Sequence, residues 1–76
     1  MVHAFVMVRI GPTAADEVRR AIEGLDGVLD AHVVAGEFDV IAEVRGEAVY
    51  DVLQVASTGI GGLDGVEKTK TYLSLN

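Results

Sequence analysis

The pentapeptide Gly-Leu-Asp-Gly-Val stands at residues 24–28 and again at 62–66, half a chain length apart in a protein of 76 residues. A repeat of that spacing divides the chain into two similar halves, so the fold must place the same local conformation twice. Gly24 or Gly27 can take the left-handed backbone that ends a helix, Leu25 can still reach a core, and Val28 starts an extended run. Each copy is therefore expected to be a helix-to-strand corner. Asp26 and Asp64 sit inside it, where an Asp-Gly pair is explained by turn formation.

The segments around the corners agree. His3 to Ile10 alternates with period two, Ala4, Val6, Val8 and Ile10 on one face and His3, Phe5, Met7 and Arg9 on the other, so it reads as a strand largely apolar on both faces. Gly11 and Pro12 end it. Thr13, followed three residues later by Asp16, resembles a helix N-cap. Ala14, Val18, Ala21, Ile22 and Leu25 then recur at helical spacing, with Glu17, Arg19, Arg20 and Glu23 on the wet side. Val28 to about Ala35 is extended, Gly36 and Glu37 make a short turn, and Phe38 to Arg45 alternates again. After Gly46 a second helix carries Val49, Val52, Leu53, Ala56 and Ile60, with its last turn weakened by Gly59, Gly61 and Gly62. The final strand runs from Glu67 to Leu75, with Thr69, Thr71, Leu73 and Leu75 on one face and Lys68, Lys70, Tyr72 and Ser74 on the other.

The order βαββαβ predicts an α+β, ferredoxin-like domain over residues 1–76: a four-stranded antiparallel sheet with both helices on one face. Right-handed crossovers place the first and third strands at the centre. Half the residues are apolar although the formal charge is −6, and no cysteine is available for a disulfide. A domain this small buries only about 60% of its unfolded surface. Phe5, Met7, Ile41 and Tyr72 on the helix-free face are therefore expected to pack sheet to sheet on a second copy.

The excess of acid disfavours direct DNA or RNA binding. It also suits a high-salt source without establishing one. Apolar runs are too short to span a bilayer, no secretory leader is visible, and the chain reads as cytoplasmic. His3, His32 and Asp30 lack a ligand spacing, so no metal is expected. Gly59-Ile60-Gly61-Gly62 closes a helix instead of opening one, the wrong context for a phosphate cradle. No nucleophile stands beside a base, and neither catalysis nor a cofactor is expected.

Two places could hold a ligand. Gly36 can supply a positive φ and bare backbone N–H groups beside the carboxylate of Asp39, a combination able to hold both ends of a small zwitterion; a polar hairpin tip is the plainer alternative. Thr69 and Thr71 project two hydroxyls from one strand face, although threonine is also simply a good strand residue.

Taken together, Ala4-Phe5-Val6, the pentapeptide at 24–28, Gly36-Glu37-Phe38-Asp39, and Ile60 through Val66 followed by Thr69-x-Thr71 resemble the effector-binding domain of the Lrp/AsnC regulators, the RAM domain. The turn matches that family's Gly-x-Tyr/Phe-Asp. The resemblance implies a domain that dimerises through its sheet, as in dimeric α/β barrels, with dimers joining into octamers or other rings. It also implies a free amino acid or related small effector between dimers, held by Gly36, Phe38 and Asp39 of the turn and by Thr69 and Thr71. Family regulators carry an N-terminal helix-turn-helix, for which the first strand leaves no room here. The expectation is a stand-alone, amino-acid-sensing module of transcriptional regulation, able to form mixed assemblies with full-length regulators. The competing readings are a dimeric α/β-barrel enzyme using His3, the only imidazole expected on the helix-free face, and a purely structural oligomerising module. Asp26 and Asp64, where many relatives carry proline, are the second departure from the family pattern.

Overall fold

A computed structural model describes all 76 residues. The elements are β1 (Val2–Ile10), α1 (Ala15–Glu23), β2 (Val28–Val33), β3 (Val40–Gly46), α2 (Val49–Gln54), a π-helical continuation of α2 over Val55–Ile60, and β4 (Val66–Leu73). The sheet order is β2-β3-β1-β4 with every neighbouring pair antiparallel. This is the ferredoxin-like arrangement expected from two right-handed βαβ crossovers, with β1 and β3 central.

The repeated corner is the same structure twice. Leu25 N–H donates to the Ile22 carbonyl and Val28 N–H to that of Leu25; Leu63 repeats the first bond on Ile60 and Val66 the second on Leu63. It is the second glycine of each copy that turns left-handed, Gly27 at φ 92° and Gly65 at φ 91°. Their carbonyls also match, that of Gly27 accepting from Arg45 N–H and that of Gly65 from Gly11 N–H. A Cβ on Gly27 would come within 2.9 Å of Val55, and one on Gly65 within 3.3 Å of Val18. Both conformation and space require glycine there.

One layer of core lies between the sheet and the helices. Ala4, Val6 and Val8 of β1, Ala31 of β2 and Val40, Ala42 and Val44 of β3 meet Val18 and Ile22 of α1 and Val52, Ala56 and Ile60 of the second helix; no polar side chain is buried. Burying one such valine or isoleucine contributes about 1.5–3 kcal/mol.

The helix starts differ from expectation. Thr13 does not cap α1: the N-cap position is Ala14, which offers no side-chain acceptor. Asp16 instead turns along the helix to Arg19 and Arg20, at 2.9 and 2.8 Å, and Arg19 reaches on to Glu23. Two guanidinium partners outcompete the cap for this carboxylate. At α2 the Asp51 carboxylate accepts from Ala48 N–H, which is half of a capping box.

Within the π-helical stretch Ser57 Oγ donates to the Leu53 carbonyl, and at its end Gly61 N–H donates five residues back to Ala56. The wider turn keeps Val52, Ala56 and Ile60, each four apart, on one buried line.

The other sheet face has no layer over it. Cross-strand register places Phe5 beside Tyr72 and Glu43, Met7 beside Ile41 and Lys70, and Arg9 beside Lys68. Phe5 is 40% exposed and Tyr72 50%. Irregularities between Val28 and Asp30 and between Arg9 and Ile10 set Asp30, His32 and Lys68 onto this face. No helix is long and apolar enough to cross a membrane.

Candidate ligand site at the β2–β3 turn

The connection from β2 to β3 is longer than the short turn expected at Gly36 and Glu37: six residues, 34–39, separate the strands. It is closed by Val34 N–H donating to the Asp39 carbonyl at 2.9 Å. Gly36 has no positive φ, and a Cβ added there would meet nothing within 4 Å. The left-handed role expected of this glycine is therefore corrected, because six residues can reverse the chain without it. What Gly36 contributes is exposed backbone.

Asp39 ties the turn to β1. Its backbone N–H donates to the Val8 carbonyl at 2.9 Å, and its carboxylate Oδ2 accepts from Ile10 N–H at 2.8 Å. The side chain thereby continues the β1–β3 ladder one step past the last backbone pair. One carboxylate oxygen is committed to structure, and Oδ1 remains.

Arg9 is the residue that reading the sequence missed. Its Nη2 donates to the Glu37 carbonyl at 2.7 Å, and its guanidinium lies 5.4 Å from the centroid of the Phe38 ring. Phe38 thus supports a cation beside the turn. The signal was present: Arg9 is the one permanently charged side chain in the first ten residues, on a strand otherwise built of apolar residues and one histidine.

Thr69 and Thr71 lie across β1 from the turn, opposite Val8 and Val6 on β4, and both are half-buried on the helix-covered side of the sheet. Thr69 and Val40 flank Val8 from its two sides, so two strand spacings, about 10 Å, separate them. Within one chain the turn and the threonines form two separate polar positions. The chain encloses no pocket of its own.

The histidines are held apart by different acids. His3 Nδ1 lies 3.2 Å from Glu43 Oε2, and His32 Nε2 lies 3.7 Å from Asp30 Oδ1, all four on the open sheet face.

A βαββαβ sheet of order β2-β3-β1-β4 with both helices on one face and the other face open defines a ferredoxin-like α+β domain. A family model for the Lrp/AsnC ligand binding domain matches residues 3–76, and the chain belongs to that family. It is 32% identical over 74 residues to the HTH-type transcriptional regulator PF0250 of Pyrococcus furiosus, covering 93% of this chain and 49% of that protein. The chain spans about half the length of the curated relatives it matches, and its 76 residues contain no helix-turn-helix. The crystal structure of TTHA0845 from Thermus thermophilus superposes with a TM-score of 0.92 at 34% identity, covering all of this chain and 95% of that one. The transcriptional regulator NMB0573 of Neisseria meningitidis, solved as a complex with L-Met, shares the fold with a TM-score of 0.85 at 18% identity, over 99% of this chain and 50% of that one.

Proposed function

We propose that residues 1–76 act as one ligand-binding unit that takes a free amino acid, or a close relative of one, between subunits of its own assembly and thereby sets the state of a transcriptional regulator. The observation that carries this reading is the turn at residues 34–39. Two hydrogen bonds at Asp39 and one from Arg9 fix its backbone on β1, while Gly36 stays exposed. A preorganised polar turn with no enclosing pocket in its own chain is a half-site, which a second subunit completes.

The open sheet face supports the first level of assembly, a homodimer through Phe5, Met7, Ile41 and Tyr72. Dimers then join into octamers or other rings. In that arrangement Thr69 and Thr71 of one subunit, too far from the turn of their own chain, complete the turn of another. Ligand binding that differs between assembly states shifts their populations by that difference. The domain itself makes no contact with DNA. It works in the cytoplasm, alone or mixed with full-length regulators, and carries out no catalysis. The L-Met complex of the Neisseria relative, and the naming of the Pyrococcus relative as a transcriptional regulator, support the ligand class and the setting.

A thermal-shift screen of the common amino acids, read together with native mass, tests the reading. A ligand at 100 times its dissociation constant stabilises the native state by about 2.7 kcal/mol. If no amino acid or close metabolite moves either the melting temperature or the subunit count, the domain is a structural oligomerising module instead.

A further inference from the structure

Four of the six basic residues, Arg9, Arg45, Lys68 and Lys70, lie on the open sheet face, and none has a carboxylate within 4.0 Å; the other two, Arg19 and Arg20, are both paired along α1. In a chain of net charge −6, unpaired cations gathered on one face require an explanation. Arg9 differs from the other three in being held by a hydrogen bond as well as a ring; Lys70 has only the Tyr72 ring, 5.8 Å from its Nζ. Nη2 of Arg9 is bound to the Glu37 carbonyl and the guanidinium plane is supported by Phe38, whereas Nε and Nη1 have no acceptor in the chain. A guanidinium fixed by neutral groups, with donors left over, has little entropy left to lose on binding a carboxylate.

Asp39 brackets Arg9 along β1, its N–H bound to the carbonyl of Val8 before it and its carboxylate to the N–H of Ile10 after it. Lys68 is the direct cross-strand neighbour of Arg9 on the other side. The end of β1 therefore presents a cation and a carboxylate within one residue of each other, with a second cation beside them.

We propose that Arg9 is the carboxylate-binding residue of the effector site, with Lys68 adding charge and the free Oδ1 of Asp39 taking the ammonium group. This rests on the turn being the ligand site. It extends that reading from backbone and hydroxyl contacts to a charge-selective one: the site takes small carboxylates, and those bearing an α-ammonium group best.

The test uses the full chain and three matched probe sets: L-α-amino acids, the corresponding 2-oxo acids, and the corresponding amino-acid amides. Binding is measured by calorimetry, and the Arg9 Nε–H resonance is followed by NMR. At least one amino acid should bind and move that resonance, and its amide should bind roughly 10- to 100-fold more weakly, the loss of one charged hydrogen-bonding partner. Arg9→Gln should weaken the acid by a similar factor and the amide by clearly less, so that the acid-to-amide ratio falls. Asp39→Asn should weaken the amino acid but not the 2-oxo acid. Should Arg9→Gln fail to fold, the resonance in the wild-type chain and the acid-to-amide ratio still decide. Amino acids that bind without moving Arg9, or as tightly as their amides, leave the sensing function standing and overturn the role of Arg9. If 2-oxo acids bind at Arg9 and no amino acid does, the role of Arg9 holds and the amino-acid reading falls. If no carboxylate in either set binds, the inference is overturned.

Discussion

The glycines of this chain are not equivalent, and two substitutions separate them. Gly65→Ala forces a side chain into a left-handed conformation and against Val18, so it should destabilise the domain by about 1–2 kcal/mol or more. Gly36→Ala meets neither obstacle, and should be neutral or stabilise by about 0.4–1 kcal/mol through the unfolded state. Urea titration of both variants gives the comparison; equal losses would mean that the turn at 34–39 needs its glycine. Asp16 carries a pH signature. Hydrogen bonds from Arg20 first, then Arg19, hold its carboxyl below the usual 3.8. A lowered folded-state pKa gives stability that is present above the unfolded value and lost as pH falls through the folded one. Asp16→Asn should therefore flatten the fall of the melting temperature in acid below about pH 4, while changing it little between successive neutral values.

Among the elements, the pseudo-symmetry of the two halves is testable. Ile22 and Ile60 are both fully buried, and the carbonyl of each accepts from the leucine of the corner that follows. Ile22→Val and Ile60→Val should each cost about 0.5–1.5 kcal/mol, by similar amounts, in chemical denaturation. A much smaller loss at Ile60 would show that the π-helix adapts to the missing methyl where α1 cannot. The alternating and helical patterns located all four strands and both helices, because periodicity reflects which side of an element meets the core. They did not show the π-helix, nor the idle Thr13, whose expected partner Asp16 pairs with Arg19 and Arg20 along the helix instead. Asp39 and Phe38 were legible as a turn motif. The contact of Arg9 with that turn was not, since 28 residues separate Arg9 from Glu37.

For the molecule as a whole, the open sheet face carries the consequence. Phe5→Lys puts a charge at the centre of the proposed dimer contact, opposite Tyr72 and Glu43. It should lower the mass measured by light scattering to half or less, or unfold the chain if the dimer is needed for stability; unchanged mass with an intact circular dichroism spectrum would remove this face from the assembly. A domain of this length has little core to spare, so the second outcome is physically reasonable.

The order of elements, the buried face of each and the two corners that join them could all be read from the residues in line, because they depend on residue periods and on a local backbone conformation only glycine adopts easily. The doubled pentapeptide is scaffold in that sense. Only the folded chain shows which of its glycines turns left-handed, that Asp39 splices the turn onto β1, and that Arg9 stands unpaired over Phe38. Those features depend on strand register, which brings distant residues within hydrogen-bonding reach and which no local pattern encodes.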